Sequence, residues 1–308
     1  MKNSSSIVKK YSGCFLGLAM GDAYGAALEG GPIERFVWKI IGKTKTGKLR
    51  YTDDTQMSID LANSFIKNRG INQDHLAHTF AQSYRYSRGY GPSAAHLLKK
   101  IKNGARWQDL NRATFKEGSF GNGAAMRAPI LALCFLKDKE ALDKSIVKSA
   151  EITHAHPKAI EGARLIALVT YAALQDYTNE AILDALPDWC ESDEYRSKIS
   201  FCITSLKAKD TITPKLLKDR LGNGIAAAES CVTAIYFALK YREDNYELML
   251  NTICKLGGDT DTIGAMSGAI WGAFNGEDAL NKDKINSIEN ADEIILLSNT
   301  LYKLSSKQ

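Results

Sequence analysis

The sequence lacks the cysteine patterns of zinc and disulfide proteins. Six cysteines occur in 308 residues, but no two form a CxxC pair. Several stand in apolar, helix-like contexts such as "LALCFL" and "SCVTAIYFAL", where a free thiol packs as a small hydrophobic group. We therefore expect buried free thiols in a reducing compartment, which argues against a disulfide framework or a zinc site and predicts a cytoplasmic location.

Long apolar runs and blocks of like charge are also missing. No run of 18 apolar residues occurs, so no transmembrane helix is expected. The apolar run near the N-terminus is short, Gly-rich and interrupted by Asp22, unlike a signal peptide. The 40 basic and 35 acidic residues give a mild net charge of +5 without a basic arm, so the sequence gives no strong signal for nucleic-acid binding.

Strand-like alternation and low-complexity linkers are scarce, and only six prolines interrupt the chain. Apolar residues instead recur at intervals of three and four, the spacing of a helix face. Clear examples are Leu61–Phe65, Ala163–Ala167 and Cys231–Ile235. With 44% hydrophobic residues, this is an ordinary globular composition. The sequence predicts one all-α domain over residues 1–308, a compact helical bundle, and a monomer.

Two helical windows carry glycine at every fourth position. In the first window the glycines are at 13, 17, 21 and 25, and in the second they are at 264, 268, 272 and 276. Each such glycine costs up to about 1 kcal/mol relative to alanine in a helix. Close approach of two helix backbones is the expected compensation. The pattern predicts two tightly packed central helices.

The first acidic cluster is "YTDDTQMSID", residues 51–60, which has Thr52, Asp53 and Asp54 at a helix start. The second is "GGDTDTIGA", with Asp259, Asp261 and interleaved threonines, again before a helix. Taken alone, each cluster fits helix capping, since Asp and Thr satisfy unpaired backbone N–H groups. Two helix starts with the same unusual chemistry also fit a shared cation site.

The interpretation as a cation site follows from the negative charge of the two clusters. If the clusters meet, four carboxylates share one site and repel one another. Mg²⁺ or Mn²⁺ would relieve this repulsion, because Asp and Thr oxygens suit hard cations. Glu29, at the loop after the first glycine helix, is a further acidic candidate. Asp22 lies within that helix and is interpreted as a packing or capping group.

Three other segments carry polar groups. "EGSFGNGAAMRAP", residues 117–129, and "YSRGYGPSAA", residues 86–95, are Gly-rich and could cradle phosphate or be plain turns. "THAHPKAIEGA" contains His154 and His156. Without a third nitrogen or sulfur ligand, a metal site there is disfavoured. A histidine that donates a hydrogen bond to an anion and a capping or core histidine both remain open.

Together these motifs resemble the ADP-ribosylglycohydrolase family, the group of dinitrogenase reductase-activating glycohydrolase and the ADP-ribosylhydrolases. The resembling segments lie between residues 13 and 276. They are "GCFLGLAMGDAYGAALE", "YTDDTQM", "RGYGPS", "GSFGNGAAMRAP", "THAHPKAIEGA" and "GGDTDTIGAMSGAIWGAFNG". The resemblance implies an all-α fold of that type with a dinuclear Mg²⁺ or Mn²⁺ centre. It also implies cleavage of the bond between ADP-ribose and a modified group.

The resemblance also implies roles for individual residues. The matching metal ligands are Thr52, Asp53, Asp54, Asp259, Asp261 and Thr262, with Asp261 as the bridge between the ions. Glu29, Asp53, Asp54 and Asp261 would take part in catalysis, Glu29 from a loop beside the metals. The groups that would hold substrate are Gly89 and Gly91 along the diphosphate, Ser119, Gly121 and Asn122 at the phosphates and distal ribose, Phe115 and Phe120 near the adenine, and His154 at the diphosphate.

The implied reaction is attack of a metal-activated water on the anomeric carbon, through an oxocarbenium-like state. The substrate would be an ADP-ribosylated protein and the product ADP-ribose. The motifs favour an N-glycosidic bond to arginine, with O-glycosidic serine or poly-ADP-ribose as the alternative. The alternative outside the enzymes is a catalytically inactive relative that binds ADP-ribose or has a structural role. A metal-dependent phosphohydrolase would share the acidic clusters.

The 22 residues between Glu29 and Thr52 are basic, with Arg35, Lys39, Lys43, Lys45, Lys48 and Arg50. In some relatives a longer loop here shapes the substrate entrance, so this sequence predicts a more open one. We interpret the stretch as a solvated charged loop, with an acidic protein partner as the alternative.

Overall fold

The computed structural model describes residues 4–208 and 212–306. Within these residues the secondary structure is helical, with short 3₁₀ turns and isolated bridges but no β-strand. The all-α prediction is confirmed. The sixteen α-helices of the described residues are α1 (Ser4–Ala26), α2 (Pro32–Ile41), α3 (Asp53–Asn68), α4 (Gln73–Ser83), α5 (Pro92–Lys102), α6 (Ala128–Cys134), α7 (Lys139–Glu151), α8 (Pro157–Leu174), α9 (Asn179–Ala185), α10 (Asp193–Ala208), α11 (Pro214–Arg220), α12 (Ala227–Lys240), α13 (Tyr246–Leu256), α14 (Thr260–Asn275), α15 (Lys282–Ser287) and α16 (Ala291–Ser305).

The two glycine helices, α1 and α14, form the centre of the molecule, as predicted. A Cβ added at Gly17 would lie 2.2 Å from the carbonyl oxygen of Gly268, and one at Gly21 would lie 2.0 Å from that of Gly264. These separations are too short for any side chain, so the helices touch through their backbones. We call this contact the glycine seam. Near the end of α1, Gly25 lies against the backbone of Thr260 and Asp261, which fixes the start of α14.

The other helices pack around this pair in one hydrophobic core. The periodic windows used above lie on α3, α8 and α12, and Pro157 starts α8 as expected for a first-turn proline. Five cysteines are buried and Cys254 is half-buried, all of them free, which confirms the free-thiol prediction. Among the described residues, we find no helix long and apolar enough to cross a membrane. The assignment of residues 1–308 to a single domain stays a prediction.

One structural expectation was wrong. The basic stretch between Glu29 and Thr52, expected to be a loop, contains helix α2. Pro32 takes the first helical position, which suits its fixed φ, and Ile33, Phe36, Val37 and Ile40 follow at helical spacing. Basic residues alternate with and follow these apolar residues, so the overall composition of the stretch resembles that of a solvated loop.

Candidate active site

The start of α3 is held by a carboxylate from α1. Asp22 is fully buried and accepts hydrogen bonds from the backbone N–H of Thr52 (2.8 Å) and from the N–H and hydroxyl of Thr55 (3.0 and 2.6 Å). It therefore caps a neighbouring helix, which agrees with the capping interpretation. Thr52 is the N-cap of α3, and its side chain accepts weakly from the N–H of Asp54 at 3.4 Å.

The second acidic cluster meets the first. The hydroxyl of Thr262 in α14 lies 3.2 and 3.3 Å from the two carboxylate oxygens of Asp54 in α3. The Thr52 hydroxyl lies 3.2 Å from the same carboxylate. Asp259, before α14, makes no capping bond with its side chain. The helix starts thus converge, and capping alone does not use all of their oxygens.

The convergence is electrostatically unfavourable without a cation. Burial, Asp261 and Asp22 raise the pKa of Asp53 well above its usual range. Burial and the neighbouring carboxylates likewise raise the pKa of Asp54 and of Asp259. Each shift has the same physical cause, the desolvation of a carboxylate beside like charges. Such a set of oxygens has the chemistry of a site for hard divalent cations.

Glu29 completes the cluster from the connection between α1 and α2. Oxygens of Glu29, Asp259 and Asp261 lie within 4.8 Å of one another, a spacing that a metal ion could bridge. Burial and the nearby Asp261 raise the pKa of Glu29 to about 9. Of the residues that supply oxygens here, Glu29 alone lies outside the starts of α3 and α14.

A cavity of about 530 Å³ opens above the cluster, a size common for small-molecule sites. Of the residues predicted to form the site, all but Asp54 line it. They are Glu29, Thr52, Asp53, Gly89, Gly91, Phe115, Ser119, Phe120, Gly121, Asn122, His154, Asp259, Asp261 and Thr262. Asp54 is buried and lies behind Thr52 and Thr262. These residues therefore lie around one cavity, and their individual roles stay predictions.

The Gly-rich segment 117–129 is hydrogen-bonded to the start of α12 and reaches the metal cluster through Asn122. The Asn122 N–H donates to the Ile225 carbonyl at 3.0 Å, and the Ala227 N–H donates to the Phe120 carbonyl at 3.0 Å. The Asn122 amide nitrogen contacts the Asp259 carboxylate and lies 3.0 Å from the Ser230 hydroxyl. Asn122 thus orients a predicted metal ligand in addition to lining the cavity.

His154 reaches this segment closely. A Cβ added at Gly123 would lie 2.4 Å from the His154 ring, so only glycine fits there. Burial and Arg127 lower the pKa of His154 to about 3, so the ring is neutral at pH 7. The Thr153 hydroxyl accepts from Arg127 at 3.0 Å and lies 2.8 Å from His154 Nδ1. This arrangement favours a proton on Nε2, which makes that nitrogen a hydrogen-bond donor.

The predicted aromatic pair lies at the rim. Phe115 and Phe120 are 42% and 51% exposed, with ring centroids 6.3 Å apart. Such exposed rings offer a stacking surface for a planar base. A Cβ built at Gly89, which has φ 81°, would lie 3.8 Å from the side chain of Thr52. The turn of residues 86–95 therefore borders the metal cluster directly.

Several lining residues were missed from the sequence. They are Trp38 on α2, His96 and Lys100 on α5, Asn111 before α6, and Ile225 before α12. His96 is exposed and also lines the cavity. For α5 a signal existed, since the helix follows directly on Gly89 and Gly91. Trp38 and Ile225 gave none, because their positions depend on tertiary packing.

Comparison with known proteins identifies relatives that match nearly the whole chain. The family model for ADP-ribosylglycohydrolase matches residues 3–308. ADP-ribosylhydrolase ARH3 from Homo sapiens is 31% identical, with 97% of this chain and 94% of that protein covered. The ARH3 from Danio rerio is 30% identical over 97% of this chain and 91% of its own length.

A solved structure shares the fold. The chain from an "ADP-ribosylglycohydrolase-related protein complex" superposes with a TM-score of 0.75 at 23% identity, covering 98% of this chain and 99% of that one. An uncharacterized protein, YegU from Escherichia coli, is 27% identical over 87% of this chain.

Proposed function

The chain belongs to the ADP-ribosylglycohydrolase family, and from this premise we propose that it is a metal-dependent hydrolase that releases ADP-ribose from a modified protein side chain. Hydrolysis of an ADP-ribose glycosidic bond is the activity of the family, and metal dependence is the finer part of the proposal. One observation carries it: the hydrogen bond between Thr262 and Asp54 joins two acidic helix starts under one cavity.

The donor set fits divalent cations. Carboxylate and hydroxyl oxygens converge without a basic side chain among the proposed ligands, and burial already raises the pKa of Asp53, Asp54 and Asp259. Two ions, Mg²⁺ or Mn²⁺, would be held by Thr52, Asp53, Asp54, Asp259, Asp261 and Thr262. When bound, they would supply Lewis-acid chemistry for sugar hydroxyls and water.

The protein residues would position the substrate. Ser119, Gly121 and the Nε2–H of His154 are proposed to hold the phosphates, and Phe115 and Phe120 to stack beside the adenine. Gly89 and Gly91 would let the diphosphate approach the backbone. Asn122 would keep Asp259 in its orientation through the amide contact. A cavity of about 530 Å³ suits a ligand of this size.

Glu29 is the proposed proton carrier. Water attacks the anomeric carbon, the bond to the side chain breaks, and the leaving atom takes up a proton, which gives ADP-ribose and the unmodified side chain. The Glu29 carboxyl lies beside Asp259 and Asp261 and belongs to neither helix start. It is thus the group with freedom to exchange a proton with the attacking water.

The linkage is a finer question. The arginine bond that "TDDTQM" and "GNGAAMR" favour stays a prediction. One observation favours an O-glycosidic bond to serine as a second candidate. Among the described residues that line the cavity, the carboxylates are Glu29, Asp53, Asp259 and Asp261, all in the cluster. A guanidinium would therefore find no separate carboxylate on the wall.

The test uses arginine-linked, serine-linked and nucleic-acid-linked ADP-ribose with Mg²⁺, Mn²⁺ or a chelator. We expect release of intact ADP-ribose that the chelator abolishes. The variants Asp53→Ala, Asp54→Ala, Asp259→Ala and Asp261→Ala should each lose activity, and Asp219→Asn, an exposed α11 carboxylate, is the control. Retained hydrolysis in any two of the four contradicts the two-metal centre. Phosphate release would indicate a phosphohydrolase, and tight binding without turnover an ADP-ribose-binding protein.

A further inference from the structure

One short stretch of this protein carries a clear excess of basic over acidic residues. Residues 32–50, which we call the basic segment, contain six of the 40 basic residues and one of the 35 acidic residues. The rest of the chain therefore carries 34 residues of each sign. Arg35, Lys39, Lys43 and Lys45 are exposed, and no ion pair forms with them in the described residues. The segment alone has a formal charge of +5, which equals the formal net charge of the chain.

The same segment exposes an apolar stripe. Ile33, Phe36, Val37 and Ile40 are 76%, 63%, 44% and 68% exposed. Their spacing places them on one face of α2, the pattern with which a helix ordinarily contacts a partner. None of them belongs to the hydrophobic core or to the side chains packed against it. Contiguous exposed apolar patches of this kind mark interaction sites.

The helix that carries the stripe lies beside the cavity. Trp38, on the opposite side of the same helix, lines the cavity, as does Glu29 just before it. After α2 the chain is tied to the body of the molecule, since the Leu49 N–H donates to the Ser287 carbonyl at 2.7 Å and the Glu289 N–H to the Leu49 carbonyl at 3.0 Å. Whatever covers α2 therefore stands next to the entrance of the site.

We propose that the stripe and the basic residues of segment 32–50 form a docking surface for an acidic segment with apolar side chains, next to the ADP-ribosylated residue of the protein substrate. The inference rests on the proposed function and adds a substrate class to it. Charge complementarity selects an acidic partner. The stripe selects apolar side chains at helical or alternating spacing.

Other occupants fit less well. A nucleic-acid backbone would satisfy the lysines and leave Phe36 and Ile40 in water. An anionic bilayer would satisfy both features. A modified protein, however, must stand at the cavity entrance in every turnover, whereas nothing in the site requires a lipid. The protein segment is therefore the occupant that the position of Trp38 favours.

The experiment compares peptides with the same ADP-ribosylated residue and different flanks. One flank has acidic residues and leucines, a second has neutral residues, and a single ADP-ribosylated amino acid is the third substrate. For the full chain we expect kcat/KM for the acidic-apolar peptide to exceed that for the neutral peptide about tenfold, the range of a few favourable charge contacts.

Two independent variants test the surface. Lys39→Glu with Lys43→Glu and Lys45→Glu should abolish the preference, and so should Phe36→Ser with Ile40→Ser. Neither should change turnover of the single amino acid. The matched control reverses three exposed lysines that do not line the cavity, Lys139, Lys148 and Lys303, and should keep the preference. A thermal melt of each variant verifies that it is folded.

The outcomes separate this proposal from the one on which it rests. If no substrate is hydrolysed, the proposed function fails, and binding of the fluorescent acidic-apolar peptide to wild type and variants still decides the docking surface. Equal kcat/KM and equal binding for both flanks overturn the proposal. Binding to phosphatidylserine vesicles without a peptide preference overturns it in favour of a membrane. A dimer that Phe36→Ser dissolves overturns it in favour of a second copy.

Discussion

The two helices on either side of Glu29 are packed in opposite ways. Before it, α1 lies so closely against α14 that seven of the eight glycines in the two windows have no room for a Cβ. The exception is Gly276, whose nearest neighbour would lie at 3.4 Å. After it, α2 presents Ile33, Phe36, Val37 and Ile40 to solvent. The chain thus passes, on either side of Glu29, from a helix contact with no room for side chains to a helix with an exposed apolar face.

This difference separates the part of the site that would hold cations from the part that would contact a partner. The glycine seam positions the acidic start of α14 through Gly25 against Asp261. The start of α3 is positioned by another residue of α1, Asp22, through its hydrogen bond with Thr52. A cation site needs such fixed oxygens. The entrance, by contrast, has the composition of an interaction surface. Glu29 lies between the two, in the connection from α1 to α2.

The largest difference is expected from the same substitution in both helices. Phe15 of α1 is fully buried, and Phe15→Ala should lower the free energy of unfolding by about 3–5 kcal/mol. Phe36 of α2 is 63% exposed, and Phe36→Ala should change it by less than about 0.5 kcal/mol. Urea unfolding measures both. Equal losses would mean that the α2 stripe is covered in solution.

The glycine seam is tested next. Gly21→Ala places a Cβ 2.0 Å from the Gly264 carbonyl oxygen, and because backbone cannot give way, we expect a loss of about 3 kcal/mol or more. The control is Gly70→Ala, where nothing lies within 4 Å and where stability should stay the same or rise by up to about 1 kcal/mol. A mild effect at Gly21 would show that α1 and α14 can separate at little cost.

The third prediction concerns the metal cluster, which lies at the starts of α3 and α14 next to the tightly packed helix α1. Without metal, Asp54→Asn should stabilise the protein by on the order of 1 kcal/mol, because it removes one of several crowded carboxylates. In wild type, Mg²⁺ at 100 times its Kd should add about 2.7 kcal/mol, and the variant should lose most of this gain. Thermal melts with and without Mg²⁺ measure both effects, and Asp219→Asn should behave as wild type. A variant that keeps the full gain would place the cation elsewhere.

The last prediction is a dependence of stability on pH that arises from Asp60, a buried carboxylic acid of α3. Burial raises the pKa of Asp60 on α3 to about 7, above the ordinary Asp value near 3.9. Between about pH 4 and pH 7 the folded state therefore holds a proton that the unfolded state has lost, so stability falls as pH rises, by at most about 1.4 kcal/mol per pH unit. Asp60→Asn should reduce this slope in denaturant titrations, while Lys39→Ala on α2 should not. An unchanged slope in Asp60→Asn would assign the proton to another group.

Local sequence patterns predicted the glycine helices and the acidic helix starts well. Glycine spacing identified α1 and α14 because a face of glycines has few uses other than close backbone contact. The threonine–aspartate starts could be paired from the sequence because they share an unusual composition. That Asp54 lies behind the cavity could not be predicted, since it depends on how Thr52 and Thr262 approach from two helices.

The entrance was predicted less well. The periodicity of α2 was present in the sequence but was outweighed by six basic residues, and an exposed apolar face contradicts the rule by which a helix face is assigned to the core. Trp38 and Ile225 reach the cavity only because distant segments meet there. No local signal marks such residues.

The placement of charge described for segment 32–50 has a consequence for encounter. With 34 residues of each sign elsewhere, the molecule has a positive pole at the cavity entrance and a nearly neutral remainder. Its electric field would turn an approaching anion toward that pole before contact, and added salt would weaken this steering. Once an acidic partner covers the pole, the complex loses its long-range attraction, so a second anion would approach it without guidance.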